Sequence, residues 1–443
     1  MQEPFINVGI MSAESINFFL SGRYSIYGKE IGAGLYKTEL SGNAIFLENQ
    51  TYDEVMIIPL EDDTFFELKD VVIGINFHWE RKENQRFEGA LKLIIEKQAD
   101  DLVITAVNVI AVESYLKCVI SSEMSATASS ELLKAHAVIS RSWLLSSILQ
   151  KNDNAVPKHE YISNIDGCNT LIRWYERDAH DKYHVCADDH CQRYQGITRA
   201  TTTAVNEAIE ATRAEVLMYN NEICDARYSK SCGGFSETFD TCWAPEHHAY
   251  LSGIADNDIV TDDFNPDLTI EENAEKWIRS SPPAFCYNND PVVLSQVLNH
   301  YDQETTDFYR WKVEYMQEQL ADLLFRRSGI DFGSIVDLIP LKRGVSGRIH
   351  ALKIIGTKES IVVGKELEIR KWLSESHLYS SAFVVDKSGE KDGLPERFTL
   401  TGAGWGHGVG LCQIGAAVMG EKGYSYTQIL YHYFRGSKLK HIY

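Results

Sequence analysis

Residues 109–150 read VIAVESYLKCVISSEMSATASSELLKAHAVISRSWLLSSILQ, and in this stretch the apolar residues change from strand-like alternation to helical spacing. The spacing predicts a short helix ending near Ile120, a polar break, and a longer helix. Ser129 or Ser130 is suited to cap the start of the longer helix, because a serine hydroxyl can accept a hydrogen bond from a free backbone N–H of the first turn. A pair of helices therefore interrupts an otherwise strand-rich chain.

The regions on both sides of this helical pair alternate apolar and polar residues, which favours β-strands. The sequence predicts four regions: a β-rich region at 1–100, a core at 101–255, an acidic and aromatic connector at 256–330, and a second β region at 331–443. The connector is expected to hold a helix at Tyr309 to Arg326, and the chain to close with a glycine-rich turn and a helix from about Gln413 to Phe434. Strands and helices interleave without regular βαβ spacing, so the expected fold class is α+β rather than a doubly wound sheet.

Composition excludes several classes of protein. The 443 residues are 44% hydrophobic and 11% aromatic, which supports one to three folded units and excludes disorder as the main state. Acidic residues number 63 against 43 basic ones, and the resulting net charge of −20 argues against a nucleic-acid partner. The longest near-apolar run, Leu102 to Val112, is far shorter than the roughly 20 residues that a membrane-spanning helix needs.

The break between the two helices contains Glu123. A carboxylic acid partly buried in such a break can act as a general acid near neutral pH. The alternative is an ordinary carboxylate beside the N-terminus of the following helix, where the helix dipole favours negative charge. The residues alone favour the structural alternative.

Two glycine-rich segments are candidate binding elements. The first is YSKSCGGFSETF at residues 228–239, where Gly233 and Gly234 allow close approach of a ligand and Lys230 and Ser231 could donate hydrogen bonds to a sugar. The second is GAGWGHGVGLCQIGA at residues 402–416, which implies a tight turn around one tryptophan and His407. A packing turn is the alternative for both segments.

The segment HDKYHVCADDHC at residues 180–191 alternates imidazoles and thiols. His180, Cys186, His190 and Cys191 form a plausible N₂S₂ set for a zinc ion, with His184 competing with His180. Four protein ligands would make the zinc structural. The alternatives are a disulfide between the two cysteines or no connection between these residues.

Taken together, these segments resemble the stage II sporulation protein D (SpoIID)/LytB family of bacterial peptidoglycan proteins. The resemblance extends over most of the chain and is carried by ELLKAHAVISRSWLL, ARYSKSCGGFSET, SGRIHALKIIG and, most specifically, GWGHGVGLCQIGAAVMGEKGYSYTQILYHYF. Residues 151–179 and 256–330 fit less well and are expected to be insertions.

The resemblance implies a lytic transglycosylase that cuts the MurNAc-β-1,4-GlcNAc bond of denuded glycan strands and leaves 1,6-anhydroMurNAc ends. Glu123 falls at the position of the essential family carboxylate, which reverses the preference given above. The resemblance also implies that the groove is lined by Ser231, Gly233, Gly234 and the turn from His407 to Gln413. Lys134, Arg141 and Lys230 are basic candidates for the lactyl carboxylate of MurNAc, and His180, Cys186, His190 and Cys191 become the expected zinc ligands.

The LytB branch of the family implies a rival role, a non-catalytic glycan-binding enhancer of a cell-wall amidase. Both roles place the protein in the cell envelope or outside the cell. No leader peptide is visible at the start of the sequence, and because the implied substrate lies outside the cytoplasm, a removed leader is expected.

Overall fold

The computed structural model describes residues 2–74, 80–98, 100–125, 128–149, 160–165, 168–175, 180–188, 191–198, 202–258, 266–297 and 306–443. Helices and strands are interleaved along the chain, which confirms the α+β class. No described helix is long and apolar enough to cross a membrane.

The first part of the chain forms two antiparallel sheets that share one core. Its strands are β1 (Phe5–Ala13), β2 (Ser15–Leu20), β3 (Tyr24–Ile26), β4 (Lys29–Ile31), β5 (Gly34–Ser41), β6 (Ala44–Leu47), β7 (Gln50–Tyr52), β8 (Val55–Pro59), β9 (Phe66–Ile73), β10 (Arg81–Phe87), β11 (Ala90–Gln98) and β12 (Asp101–Ala111). One sheet has the order β1-β12-β11-β8-β3-β4, and the other β10-β9-β2-β5-β6-β7. Alternate side chains from both sheets fill the core, among them Phe18, Leu20, Ile57, Phe66, Leu91 and Ile104.

The central helices follow directly. Helix α1 (Val112–Glu123) ends three residues later than predicted, and α2 (Ser130–Leu149) begins where predicted. The Ser129 hydroxyl accepts a hydrogen bond from the N–H of Leu132 at 3.3 Å, as expected of an N-cap. Almost every side chain in the middle of α2 is buried, so this helix is a core element with neighbours on all sides.

Short elements follow α2. They are β13 (Glu160–Ile165), β14 (Cys168–Arg173), β15 (Val185–Cys186), a 3₁₀ turn at Gly196–Thr198, α3 (Thr203–Ala211), β16 (Glu215–Tyr219), β17 (Glu222–Ile223), β18 (Tyr228–Ser229) and α4 (Phe239–Cys242). Strand β15 pairs in parallel with β1, with Gly9 opposite Cys186, so the Cys/His segment lies at the edge of the first sheet.

The connector holds α5 (Glu271–Arg279), α6 (Pro291–Val297), β19 (Arg310–Met316) and α7 (Gln317–Ser328). The predicted helix from Tyr309 is therefore wrong over its first half, which is a strand. Trp311, Val313 and Tyr315 alternate along β19. In so short an aromatic run, the sequence alone does not distinguish a strand from a helix. The Gln319 side chain accepts from the N–H of Met316 and fixes the helix start there.

The last part contains β20 (Ile335–Arg343), β21 (Ile349–Gly356), β22 (Ser360–Gly364), α8 (Glu366–Trp372), β23 (Phe383–Ser388), β24 (Arg397–Ala403), β25 (Leu411–Cys412), α9 (Gln413–Glu421), α10 (Tyr426–Tyr433) and β26 (Lys438–His441). The predicted closing helix is wrong in extent, because it is two helices. Ser425 and Gln428 form a capping box that starts α10 anew.

Sheets formed across the chain join its middle to its end. β14 pairs with β22 in the sheet β13-β14-β22-β21-β20, β16 pairs with β26, and β18 pairs with β25. A further sheet has the order β19-β24-β23. The two glycine-rich segments are therefore neighbours in space, since Tyr228 lies opposite Leu411. The predicted boundaries at 100, 255 and 330 stay predictions.

Candidate functional site

Glu123 is the last residue of α1 and is half-buried. It lies at the C-terminal end of a helix, not beside the N-terminus of the next one, so the helix dipole does not favour its negative charge. Its Oε1 accepts a hydrogen bond from the backbone N–H of Arg193 at 3.2 Å. Two residues further on, the N–H of Ser125 donates to the carbonyl of Gln296 at 2.9 Å. The end of α1 thus meets both the segment after Cys191 and the last turn of α6.

A buried hydrogen-bond chain runs from this point toward the glycine-rich turn. Gln192 accepts from the Tyr115 hydroxyl at 3.3 Å and reaches the carbonyl of Ser140 at 3.5 Å. The Ser140 hydroxyl lies 3.2 Å from Nδ1 of His136, and Nε2 of His136 lies 3.3 Å from the Gln413 side-chain amide. The chain couples α1, α2 and the start of α9 behind Glu123.

His136 is fully buried at the centre of this chain. Burial, with a further contribution from Lys230, lowers the pKa of His136 to about 3. The imidazole is therefore neutral at physiological pH, which lets one ring nitrogen donate and the other accept. The edge of its ring meets Tyr228, with 4.7 Å between the ring centroids.

Two of the predicted basic residues are positioned by nearby partners. The ammonium of Lys134 lies 2.7 Å from Glu131 and 5.9 Å from the centre of the Tyr426 ring. The ammonium of Lys230 donates to the carbonyl of Val297, one residue beyond the carbonyl that receives the Ser125 N–H. The last turn of α6 thus contacts both the Glu123 loop and Lys230.

Arg141, the third predicted basic residue, is completely buried. Its guanidinium makes two hydrogen bonds to Glu113, at 3.0 and 2.7 Å, and a third to the carbonyl of Glu215 at 2.9 Å. Burial opposes ionisation of Glu113, but Arg141 and the hydroxyl of Tyr443 hold the pKa of Glu113 below its ordinary value. Arg141 therefore joins α1, α2 and β16 in this conformation and presents no surface to a ligand.

The glycine-rich turn is built around a buried arginine, Arg348. Its guanidinium donates to the carbonyl of Gly406 at 3.0 Å and to that of Cys232 at 3.2 Å. A Cβ at Gly408 would lie 2.4 Å from the guanidinium carbon, so only glycine leaves room for it. The backbone adopts positive φ at every second residue of the turn: Gly404, Gly406, Gly408 and Gly410.

The predicted residues of the first glycine-rich segment contact the second. Ser231 is fully buried and exchanges two backbone hydrogen bonds with Trp405, at 3.1 and 2.8 Å. Gly233 and Gly234 have φ of 78° and 102°. A Cβ at Gly233 would lie 2.7 Å from the nitrogen of Gly404, so this glycine permits packing of one turn against the other. Ser231 and Gly233 thus hold the glycine-rich turn in place.

His407 of the glycine-rich turn lies beside Trp243, which follows α4. Its Nδ1 accepts from the N–H of Val409 at 3.0 Å, and the Trp243 ring meets it edge-on with 4.9 Å between centroids. Burial and the nearby guanidinium of Arg227 lower the pKa of His407 far below its ordinary value. Gln413, by contrast, opens α9 and points its amide at His136.

The structure brings three of the predicted zinc ligands together. Ligand atoms of His180, Cys186 and Cys191 lie within 4.8 Å of one another, with 3.6 Å between His180 Nε2 and Cys191 Sγ. These are the nitrogen and sulfur donors that zinc prefers. His184, the competing residue, accepts the backbone N–H of Asn7 at 3.0 Å through Nδ1. The fourth predicted ligand, His190, lies outside the described residues.

A second, fully buried group is formed by Cys232, Asp256, Cys286 and Cys412, again with all ligand atoms within 4.8 Å. The spacing of these residues along the chain gives no local signal. In the part of the chain that the structure describes, these are the two groups that could hold a metal ion.

Comparison with models of known protein families gives two matches. The model of the "Stage II sporulation protein" family, SpoIID, matches residues 101–219, the part that contains Glu123, α2 and the Cys/His segment. A "Domain of unknown function (DUF8618)" matches residues 237–410. Residues 101–219 are therefore similar to the SpoIID family model, and the resemblance of the chain to the SpoIID/LytB family is confirmed.

Individual relatives agree with this assignment. The chain is 27% identical to the amidase enhancer of Bacillus subtilis (strain 168), over 73% of this chain and 40% of that protein. It is 22% identical to stage II sporulation protein D of the same organism, over 74% of each chain. It is 23% identical to stage II sporulation protein D of Bacillus amyloliquefaciens, over 74% of this chain and 73% of that one. The chain thus spans less than half of the amidase enhancer.

The sequence did not single out three residues that organise the site. Arg348 and His136 lie inside the segments SGRIHALKIIG and ELLKAHAVIS, where other charged or polar residues stand beside them. No local pattern distinguishes these two residues, because their burial and fixed partners are visible only in three dimensions. Arg193 reaches Glu123 through its backbone N–H, a group that nearly every residue carries, so no sequence signal could have found it.

Proposed function

We propose that this protein is a peptidoglycan lytic transglycosylase that cuts the MurNAc-β-1,4-GlcNAc bond of denuded glycan strands, with Glu123 as general acid and base. The observation that carries the proposal is the position of Glu123 inside the matched SpoIID domain. There its carboxylate is held by a backbone N–H at the junction of α1, the Cys/His segment and α6.

The chemistry requires one carboxyl group. Protonated Glu123 gives its proton to the glycosidic oxygen as the C1–O bond breaks. The resulting carboxylate takes the proton of the C6 hydroxyl of the same MurNAc, whose oxygen closes on C1 to form the 1,6-anhydro ring. Because the nucleophile belongs to the substrate, the second carboxylate that most glycosidases use is not needed.

The surroundings of Glu123 fit this role. One carboxylate oxygen, Oε1, is oriented by the hydrogen bond from the Arg193 N–H. The Lys230 ammonium contacts the same turn of α6 that contacts Ser125, and it supplies positive charge there in an acidic chain. The lactyl carboxylate of MurNAc is the substrate group that this charge would attract.

His180, Cys186 and Cys191 are proposed to hold a structural zinc ion, with His190 as the fourth ligand. When bound, the zinc would fix the loop that leads to Arg193 and would not enter the reaction, since four protein ligands close the tetrahedral site. The proposed place of action is the cell envelope or the extracellular space, where glycan strands lie.

The second candidate is a non-catalytic enhancer of a cell-wall amidase. It is favoured by the 27% identity to a protein named amidase enhancer. In this role the same groove would bind glycan, and Glu123 would order the loop at Ser125.

One experiment separates the two roles. Denuded glycan strands are incubated with wild type, Glu123→Gln and the control Glu222→Gln, and the products are identified by mass spectrometry. Glu222 is an exposed carboxylate on β17. Anhydro-terminated products from wild type and the control only would support the transglycosylase. Ordinary reducing ends would indicate a hydrolase. Absence of products, with stimulation of a cell-wall amidase by all three proteins, would support the enhancer.

A further inference from the structure

Four side chains from separate segments meet beneath the glycine-rich turn: Cys232, Asp256, Cys286 and Cys412. Each is at most 3% exposed. Cys232 follows β18, Asp256 follows the bridge between Ala255 and Phe235, Cys286 lies between α5 and α6, and Cys412 precedes α9. Since these segments are distant in sequence, the tertiary fold itself gathers three thiols and a carboxylate.

The separations match a tetrahedral metal site. The sulfur atoms of Cys232 and Cys286 lie 3.6 Å apart, and the Cys232 sulfur lies 3.4 Å from Oδ2 of Asp256. A zinc ion with bonds of about 2.3 Å to sulfur and about 2.1 Å to oxygen sets edges of roughly 3.8 Å between sulfurs and roughly 3.6 Å between sulfur and oxygen. The four groups are therefore arranged at the spacing of a zinc coordination sphere.

Outer hydrogen bonds orient the ligands. The Tyr433 hydroxyl donates to Oδ1 of Asp256 at 2.7 Å, and the backbone N–H of Cys286 donates to Oδ2 at 3.2 Å. The N–H of Cys232 donates to the sulfur of Cys412 at 3.3 Å. Hydrogen bonds of this kind position metal ligands and are typical of the shell around a zinc site.

The charge of the cluster also points to a cation. Among the described residues, Asp256 is hydrogen-bonded by Tyr433, Cys286 and Cys232, and by no lysine or arginine. The Nε2 of His432 lies 3.5 Å from Oδ1 of Asp256 and is buried without a hydrogen-bond partner in the described structure. A buried carboxylate beside three thiols is costly unless a positive charge balances it, and a protonated His432 or a bound cation would supply that charge.

Gly415 of α9 leaves room for the Asp256 carboxylate. A Cβ at Gly415 would lie 2.7 Å from Oδ2 of Asp256 and 2.3 Å from the Tyr433 hydroxyl. Only a glycine at this position of α9 allows the helix to lie against the cluster.

We infer that Cys232, Asp256, Cys286 and Cys412 bind a structural zinc ion that fastens the connector to the core. Four protein ligands leave no open position for substrate. The fastened segment runs from Cys286 into α6, whose last turn contacts Ser125 and Lys230. The zinc would therefore support the helix turn that contacts the loop after Glu123. This inference rests on its own residues and stands whether the protein is a transglycosylase or an enhancer.

The test measures zinc content and coordination in the full chain, purified without chelators from medium supplemented with zinc. The background variant Cys186→Ser/Cys191→Ser removes the Cys/His group, so any zinc left belongs to the second group. We expect about one zinc ion per chain in this background, and X-ray absorption at the zinc edge should report three sulfur ligands and one oxygen. Adding Cys286→Ser should remove that zinc, whereas adding Cys224→Ser, a buried thiol outside both groups, should not.

Wild type alone also decides the matter if a variant fails to fold. A coordination of more than two sulfurs per zinc, averaged over all zinc bound, requires the second group, because the Cys/His group offers only two. Two results would overturn the inference: a mean of two or fewer sulfurs per zinc in folded wild type, or a Cys232–Cys286 disulfide found by peptide mass spectrometry without reduction.

Discussion

Oε1 of Glu123 lies 3.2 Å from the backbone nitrogen of Arg193, and Arg193 follows Cys191 by two residues. A single hydrogen bond therefore links the proposed catalytic carboxylate to the proposed zinc loop. A substitution that makes the loop more mobile should therefore disturb the orientation of the Glu123 carboxylate, even though Glu123 itself is unchanged.

Removal of the Cys/His metal ligands should reduce glycan cleavage. We expect Cys186→Ser/Cys191→Ser to lose about one zinc ion and at least tenfold in cleavage rate, because outer supports of a site are typically worth about 10- to 100-fold. Cleavage assays and zinc analysis on the same preparations check this. Cys224→Ser is the matched control. An unchanged cleavage rate in the zinc-depleted protein would show that the loop does not support Glu123.

Arg141 and Lys134 should differ sharply when mutated. Arg141→Met leaves the buried Glu113 carboxylate without its partner and should lower the free energy of unfolding by about 3–5 kcal/mol at pH 7. Lys134→Ala removes a partly exposed pair and should cost less than about 1 kcal/mol. Urea unfolding of both variants measures the two effects.

The pH dependence gives a further check on Arg141. Because the folded pKa of Glu113 is lowered, its ionised form stabilises the fold above its unfolded pKa of about 4.3, and this stabilisation is lost as the pH falls. The cost of Arg141→Met should therefore be smaller at pH 4 than at pH 7. A variant of wild-type stability that has lost glycan affinity would instead assign Arg141 to substrate binding.

His136 should make the fold acid-sensitive. In the folded protein the pKa of His136 is about 3, below the ordinary 6.5. Between pH 3 and pH 6.5, His136 is therefore protonated in the unfolded chain and neutral in the folded one. Stability should fall by about 1.4 kcal/mol per pH unit from this group as the pH drops from 6.5 toward 4. His136→Gln should show a correspondingly shallower acid slope in urea unfolding, and the exposed His441→Gln should keep the wild-type slope.

Two glycines with the same backbone conformation should respond differently to alanine. Gly408 and Gly423 have φ of 75° and 84°, but a Cβ meets the Arg348 guanidinium at 2.4 Å in the first and nothing within 4 Å in the second. Gly423→Ala should cost about 1 kcal/mol for the backbone alone, and Gly408→Ala about 2 kcal/mol more from overpacking. Equal losses of thermal stability in the two variants would contradict the claim that the turn packs tightly around Arg348.

Much of this fold could be predicted because local patterns decide it. The helical spacing after Val109 and the serine at position 129 fix α1 and α2, and alternation fixes most strands. One error arose where tertiary pairing overrides a local pattern, because β24 recruits Arg310–Met316 into a sheet. The other arose from a missed local signal, the capping box of Ser425 and Gln428 that starts a new helix.

The candidate site was predictable only in part. The three described residues of the proposed zinc site, His180, Cys186 and Cys191, lie close in sequence, so their spacing suggested the group. The buried Cys232 group could not be found this way, because it joins residues 180 positions apart, as between Cys232 and Cys412. Similarly, the charge of Arg141 suggested a ligand site, while its buried partner Glu113 is visible only in three dimensions.

The most direct test of the central claim is cleavage of denuded glycan strands in water enriched in ¹⁸O, with wild type and Glu123→Gln. The C6 hydroxyl closes the ring in the proposed reaction, so wild-type products should end in 1,6-anhydroMurNAc with no ¹⁸O, and Glu123→Gln should give no products. New ends that carry ¹⁸O, or cleavage that survives in Glu123→Gln, would contradict the account.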